Sequence, residues 1–340
     1  MKKNPLVINF AVIIIRKIEL YEHIIRYLHK FNVTNILIIK RKGLKTNTKI
    51  LKKYKISYDI VKSYENKNIY ENLIIYKKKL PIFFFHLNSE NFLNQNLFDL
   101  KEVIRRNPNK LIYFKNNSLI PSIKVFNKNR LNFYQKVEKK KFLNKNCKII
   151  SFKKKDLLVL HKDQNKKKIQ KFFKKIYSKN LILDRDGVIN KNLGYVSEIS
   201  DLKWVNGFIK AIQYLNKKNY NLFVATNQSG VARGFYSEKK VILLHQYIKK
   251  ILQRKNCYLN QFYYCPYHPK GRIMKYKKNS NLRKPKNGMF LAIKNDWNID
   301  TKNTSMIGDQ QSDIDFAKNC KIKSYLFKEK NLFLFVKKNF

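Results

Sequence analysis

Residues 181–195 read Leu-Ile-Leu-Asp-Arg-Asp-Gly-Val-Ile-Asn-Lys-Asn-Leu-Gly-Tyr, a short apolar run that ends on two carboxylates, Asp184 and Asp186. A run of this length, closed by polar residues and Gly187, suits a buried strand. Ligands of open α/β sheets bind outside the carboxyl ends of strands, so both acids would stand at the mouth of a site. Two carboxylates two positions apart repel, and a bound cation or a shared proton must offset that cost. D-x-D alone fits a solvated turn equally well. The residues at the ends of the later strands choose between that turn and a Mg2+-dependent phosphoryl-transfer site with an Asp nucleophile.

Those ends carry the right chemistry. Helical spacing over 207–218 leads into an apolar run over 222–226, which closes on Thr226, Asn227, Gln228, Ser229 and Gly230, with Arg233 just behind. A hydroxyl at a strand end is suited to donate to a phosphoryl oxygen. A helix is expected over 238–255 and a strand over 260–265. A Gly/Pro/Lys-rich loop then ends in Arg283-Lys284-Pro285, where Lys284 would set a cation against a transferring phosphoryl group. Beyond a helix expected around 289–297, a final strand over 304–309 brings Asp309, followed by Asp313. Another carboxylate at a strand end is what an Asp184/Asp186 site needs to approach octahedral oxygen coordination.

The order D-x-D, Thr, Lys, G-D-x-x-x-D resembles the haloacid dehalogenase superfamily of phosphatases. Asp184-Arg-Asp-Gly-Val-Ile-Asn190, Gly194-Tyr195-Val196, Thr226-Asn-Gln-Ser-Gly-Val-Ala-Arg-Gly234, Tyr264-Cys-Pro266 and Arg283-Lys284-Pro285 resemble the D-glycero-D-manno-heptose 1,7-bisphosphate 7-phosphatase family, over about residues 178–327. The resemblance implies a Rossmann-like domain and an aspartyl-phosphate mechanism. In it Asp184 is the nucleophile and Asp186 the general acid and base, while Thr226 and Lys284 stabilise the phosphoryl group. Mg2+ would be held by Asp184, the Asp186 backbone carbonyl and Asp309, with Asp313 orienting its surroundings. Arg283 would take the other phosphate, and Arg185, Asn192, Gly194, Tyr195, Asn227, Gln228, Ser229 and Arg233 would complete the substrate site. Gln310 stands where relatives carry Lys. Many relatives close the loop before Arg-Lys-Pro on zinc through C-x-H and C-x-C. Here Cys265 is present, Tyr267 takes the His position with His268 one step late, and the second pair reads Ser280-Asn281-Leu282. A structural zinc needs four ligands, so no zinc is expected, and a looser loop with it.

The first half repeats an α/β pattern: a strand-like start, helical spacing over 18–30, and apolar runs over 35–39 and 81–87. It resembles the sugar-phosphate nucleotidyltransferase family in a worn form. Residues 18–39 are similar to its helix-turn-strand, 82–100 to its strand ending in N-G-D with Glu90 at the metal position, and Val137-Glu138-Lys139 to its E-K segment. The Gly-rich phosphate loop is absent, because the chain begins after its place. The K-P pair is Asn4-Pro5, and N-G-D is Asn88-Ser89-Glu90. Backbone N–H groups that cradle phosphates have no substitute elsewhere, so the fold is expected to persist without transferase activity. The organisation expected is α/β in two domains: a degenerate nucleotidyltransferase-like domain over 1–165, a Lys-rich linker over 166–178, and a phosphatase domain with a parallel sheet over 179–340.

The net charge of +52, from 74 basic and 22 acidic residues, would ordinarily suggest nucleic acid. The bases are mostly Lys, spread over the full length beside Asn, Ile, Phe and Tyr, residue types that share A/T-rich codons. No nucleic-acid module accompanies them, so the partner expected is a phosphorylated small molecule. The start superficially resembles a signal peptide, but Asn9 splits the apolar run and Arg16, Lys17 and Glu19 follow. No run reaches the length of a membrane span. Cys147, Cys257, Cys265 and Cys320 show no paired spacing. A reduced cytoplasmic protein without an anchor, monomeric or weakly oligomeric, is expected. Histidinol-phosphate phosphatase, from the same branch, is the rival enzyme; it tends to carry D-G-T-L and T-N-Q-D-G. A non-catalytic scaffold is the rival of another class, against which the intact Asp184, Asp186, Thr226, Lys284 and Asp309 stand.

Overall fold

In a computed structural model the apolar runs pair as strands of two separate sheets. The structure describes residues 10–15, 20–31, 33–64, 68–88, 91–93, 111–114, 123–131, 134, 147–150, 157–159, 169, 171–172 and 179–340. The chain divides into two units, Met1–Ile169 and Gln170–Phe340. The division falls within the stretch 166–178, of which only Ile169, Lys171 and Phe172 are described. Asn4-Pro5, Ser89-Glu90 and Val137-Glu138-Lys139 lie outside the described residues.

In the first unit, β1 (Phe10–Ile15) pairs in parallel with β2 (Asn35–Lys40), which pairs in parallel with β3 (Ser57–Lys62). On its other side β1 pairs with β4 (Phe83–Asn88), also in parallel. Five of the six β1 residues are buried, as a strand covered on both faces requires. Helix α1 (Tyr21–Lys30) turns Tyr21, Ile24, Ile25 and Leu28 inward at three- and four-residue spacing. The short α2 (Lys49–Lys53) follows, and α3 (Ile69–Ile75) starts on a reciprocal cap between Asn68 and Glu71. After β5 (Asn91–Leu93), the strands β6 (Leu111–Phe114), β7 (Ile123–Asn127) and β8 (Cys147–Ile150) extend the sheet beyond β4 with two antiparallel pairings, while β9 (Leu157–Val159) pairs with β5.

The second unit is a five-stranded, all-parallel sheet. Its strands are β10 (Asn180–Leu183), β11 (Asn221–Asn227), β12 (Gln261–Cys265), β13 (Thr304–Gly308) and β14 (Lys323–Leu326), in the order β12-β11-β10-β13-β14. The chain runs outward from β10 to β12 and returns to the other side of β10, so the order reverses between β10 and β13. That reversal opens a crevice at the carboxyl edge, where the loops after β10, β11, β12 and β13 meet.

Helices cover both faces. Leu181, Leu183, Leu222 and Val224 face α4 (Phe208–Lys217), α6 (Glu238–Arg254) and α9 (Leu332–Asn339) in one core, through Ile212, Ile248 and Val336 among others. On the opposite face Phe223 meets Trp297 of α7 (Gly288–Trp297) edge to face, ring centroids 5.4 Å apart. The short α5 (Gly230–Arg233) and α8 (Gln311–Asn319) start just past the carboxyl ends of β11 and β13. Each apolar side chain fully buried in this way contributes about 1.5–3 kcal/mol. Among the described residues no helix is long and apolar enough to cross a membrane.

Asn260 sets the register of β12 beside β11. Its side-chain carbonyl accepts from Leu222 N (2.9 Å), its own N–H donates to Leu222 O (2.7 Å), and it is fully buried. Asn260→Ala removes the acceptor and strands a buried N–H, at a cost of about 1–3 kcal/mol. Thermal unfolding should show a midpoint several degrees lower; an unchanged midpoint contradicts this role.

Candidate active site

β10 delivers Asp184 and Asp186 to the crevice, and the two acids have different neighbours. Asp184 is buried, and its Oδ1 lies 2.9 Å from Lys284 Nζ and accepts from the Arg185 backbone N–H at 2.7 Å. The same ammonium donates to Asp313 Oδ1 at 2.5 Å. Burial pushes the Asp184 carboxyl up to about 7; Lys284 opposes the shift, and Asp313 and Asp186 add to it. Burial works against the Lys284 ammonium too, but Asp184 and Asp313 outweigh it and raise its pKa. Lys284 therefore stays charged, 3 % exposed, between two carboxylates.

Oxygen atoms of Asp184, Asp309 and Asp313 lie within 4.8 Å of one another. Gln310 Nε2 donates to Asp309 Oδ2 at 2.9 Å, whereas Asp309 Oδ1 is buried with no hydrogen-bond partner. Burial raises the Asp309 pKa. Three carboxylates around one ammonium leave an excess of negative charge, and the orphaned oxygen leaves a ligand position. This donor set fits a hard divalent cation such as Mg2+.

Asp186 is held from three sides. Arg185 donates to both of its oxygens (Nη2, 3.0 and 2.9 Å), Asn190 Nδ2 to Oδ1 (2.8 Å) and Gln228 Nε2 to Oδ2 (3.0 Å). Gln228 also donates to Thr226 Oγ1 (3.0 Å), and Tyr236 O–H donates to Gln228 Oε1 (3.0 Å). The Gln228 amide is thus oriented by its neighbours. Thr226, accepting from Gln228, keeps its own hydroxyl proton for a group in the cavity.

The cavity between these groups has a volume of about 360 Å3. Asp184, Asp186, Thr226, Lys284 and Asp309 line it, as do Asn192, Gly194, Tyr195, Asn227, Gln228, Ser229 and Arg283. Two expected substrate contacts fall elsewhere. Arg185 is fully buried, with its guanidinium on Asp186 and the Val196 carbonyl (2.7 Å), so it braces the acid instead of facing the cavity. Arg233 is not part of the lining, though it is close enough to Arg283 to help, after burial, to lower the Arg283 pKa. Arg233 Nε and Arg283 Nη1 are buried without a hydrogen-bond partner. Asp313 is fully buried beneath the cavity, on Lys284 and on the Gln310 N–H (3.1 Å). Sequence reading missed Tyr236 and Ser312, which also line the wall. Only the position of Tyr236 just after Arg233-Gly234 could have signalled it.

The loop after β12 is tied at several points. Asn227 exchanges hydrogen bonds with the Lys284 backbone (3.1 and 3.0 Å), which fixes where Lys284 enters the crevice. Cys265 Sγ donates to Tyr267 O (3.7 Å), and His268 Nδ1 accepts from Lys270 N (3.0 Å). Lys278 Nζ sits 3.8 Å from the Tyr267 ring centroid, and Tyr264 and Tyr276 both donate to Glu238.

With this geometry in view, the relatives are informative. The HAD-hydrolase-like family model matches residues 281–330, a stretch that holds Arg283, Lys284, Asp309 and Asp313. The D-glycero-beta-D-manno-heptose-1,7-bisphosphate 7-phosphatase of Rhodopseudomonas palustris is 39% identical over 155 residues, 46% of this chain and 86% of that protein. The chain belongs to the D-glycero-D-manno-heptose 1,7-bisphosphate 7-phosphatase family. Its members are phosphoric monoester hydrolases, and so is this protein. The alpha-anomer enzyme of Campylobacter jejuni is also 39% identical, over 145 residues that make up 43% of this chain and 79% of the relative. The crystal structure of D,D-heptose 1.7-bisphosphate phosphatase from B. bronchiseptica, complexed with magnesium and phosphate, is 24% identical with a TM-score of 0.41, covering 48% of this chain and 87% of that one. The family's matched length is about half of this chain, so its activity belongs to that portion.

Gly187 shows how tightly the acidic loops pack. Its φ is +88°, and a Cβ there would lie 2.1 Å from Asp309 Oδ2. Gly187→Ala combines a left-handed backbone penalty of about 1–2 kcal/mol with displacement of Asp309. Loss of most phosphatase activity and a lower thermal midpoint are expected; wild-type turnover in this variant would contradict the packing described.

Proposed function

We propose that the protein hydrolyses the 7-phosphate of D-glycero-D-manno-heptose 1,7-bisphosphate, with Mg2+ bound, in the biosynthesis of activated heptose for surface polysaccharides. The observation that carries the reading is the Asp184 carboxylate, set beside Lys284 on the wall of a cavity that also contains Asp186 and Thr226. The Asp184 carboxylate attacks phosphorus, forming a P–O bond to the carboxylate as the bond to the sugar oxygen breaks. The proton on Asp186 passes to the leaving alkoxide. Asp186, now ionised, takes a proton from the water that attacks the aspartyl-phosphate, and phosphate leaves with Asp184 restored. Thr226 O–H and Lys284 Nζ hold the phosphoryl oxygens during both transfers. Arg185, Asn190 and Gln228 keep Asp186 aimed throughout.

Mg2+ would be held by Asp184, Asp309 and the Asp186 carbonyl, with Asp313 fixing Lys284 and the following turn. When bound, it supplies charge neutralisation for the phosphoryl oxygens. Arg283, which lines the cavity with its Nη1 unpartnered, supports a substrate with a second phosphate, which favours the heptose bisphosphate over histidinol phosphate. The reading includes a reducing cytoplasmic setting, in keeping with the free, buried thiols of Cys257, Cys265 and Cys320. It also includes a first unit that keeps a nucleotidyltransferase-like fold. Consistent with that is its parallel β3-β2-β1-β4 arrangement with α1 between β1 and β2.

Phosphate release from the heptose bisphosphate and from histidinol phosphate should be measured side by side with Mg2+. Turnover of the first, abolished by Asp184→Asn, is expected; preference for histidinol phosphate, or full activity of Asp184→Asn, refutes the reading. A second expectation concerns stability. Without metal, the raised Asp184 pKa means that the folded state keeps a proton the unfolded chain releases, so stability falls as pH rises from 3.8 to about 7. Metal binding requires the carboxylate, so the rise in thermal midpoint on adding Mg2+ should be larger at about pH 8 than at about pH 6. A gain that shrinks with rising pH would contradict a site built on Asp184.

A further inference from the structure

Glu238, in the first turn of α6, receives two phenols. Tyr264 O–H donates to Oε1 and Tyr276 O–H to Oε2, both at 2.8 Å. Tyr264 lies in β12 just before the long loop that leads to Arg283, and Tyr276 ends the short 3-10 turn Met274–Tyr276 within that loop. One carboxylate thus joins the start of the loop to its middle. The position favours the charge, because a helix N-terminus stabilises an anion. Burial first, and then the bond to Glu238, raises the Tyr264 pKa; for Tyr276 the Glu238 bond is the leading cause, so both phenols remain neutral donors. Tyr264 and Tyr276 pack on a small core of Val231, Tyr236 and Val241, and the Ile273 N–H donates to Ala232 O (3.0 Å). The clamp therefore also touches α5, which carries Arg233.

From Tyr276 a chain of turns leads to the arginine. Tyr276 O accepts from Lys278 N (3.1 Å), Lys278 O from Ser280 N (3.1 Å) and Ser280 O from Arg283 N (3.2 Å). Lys278 lies over the Tyr267 ring, and Tyr267 and Tyr276 stand 6.0 Å apart, so the same clamp carries a cation–π brace. Without such ties, a loop of this length would have to be ordered at each binding event, at an entropic cost.

We propose that the Tyr264–Glu238–Tyr276 clamp is a positioning device that holds Arg283 for the substrate's second phosphate, and so sets selectivity for a bisphosphate. This rests on the reading that Arg283 grips that phosphate. None of the three clamp residues lines the cavity. They act through the loop, away from the reacting atoms.

The test measures kcat and KM on the heptose 1,7-bisphosphate and on the same sugar bearing only the 7-phosphate, for wild type, Tyr276→Phe, Arg283→Ala and the double variant. Tyr276→Phe should raise KM for the bisphosphate roughly three- to tenfold, keep kcat, and leave the monophosphate kinetics as they were. In the Arg283→Ala background it should add nothing. Equal damage on both substrates, an unchanged KM, or full additivity with Arg283→Ala would show a merely structural tie and overturn the proposal. Should Tyr276→Phe fold poorly, Glu238→Gln, which keeps the side-chain shape and loses one acceptor, gives the same comparison. Wild type inert on the bisphosphate would overturn the substrate reading and this proposal together. An active wild type with an indifferent clamp variant would overturn the clamp alone.

Discussion

Crowding of like charge at one strand edge governs the second unit. Asp184, Asp309 and Asp313 converge within a few ångströms, and the Lys284 ammonium is shared between two of them. Such a cluster holds only if the surrounding chain leaves it no room to relax. Gly187 and Gly308 provide that closeness: a Cβ on Gly308 would lie 2.1 Å from the Asp313 Cβ, and one on Gly187 as close to Asp309. Asn227 fixes the Lys284 backbone so that the cation cannot retreat. The charge left over suits a hard divalent cation.

The two aspartates of the opening motif show how position along a strand is turned into chemistry. Asp184 and Asp186 both follow the carboxyl end of β10, yet their surroundings differ completely. Asp184 is buried against an ammonium, whereas Asp186 is gripped by Arg185, Asn190 and Gln228 at the edge of the cavity. Separate environments for neighbouring acids are a general way to divide nucleophile from acid and base. Tyr236 extends the grip by orienting Gln228, and Gln228 in turn leaves Thr226 free to donate.

The loop after β12 makes a related point about substitution. Within the loop Cys265 bonds the Tyr267 carbonyl and Ser280, His268 accepts from Lys270, and Glu238, Tyr264, Tyr276 and Lys278 crosslink its start to its middle. Hydrogen bonds to a carboxylate and a cation on a ring face are individually modest. Together they join β12, α5 and α6 around one loop, which is what placing an arginine requires.

Much of this was legible in the chain itself. The runs over 181–183 and 222–225 are continuous and apolar because a central parallel strand is covered on both faces, while those around 260–265 and 304–309 mix polar with apolar residues, and each region forms a strand in the structure. Strand ends carrying Asp184, Thr226 and Asp309 mark the site because strand direction alone sends them to one edge. Local pattern could not decide the rest. Arg185 is expected in the substrate site and is instead sealed under Asp186, since a side chain's partner depends on which loop folds over it. Tyr236 and the Glu238 clamp bring together residues from separate elements, and no periodicity records such contacts. Sequence determined which segments are strands and which atoms are reactive; the tertiary structure decided which of those atoms face the cavity, because burial and pairing arise only when distant segments meet.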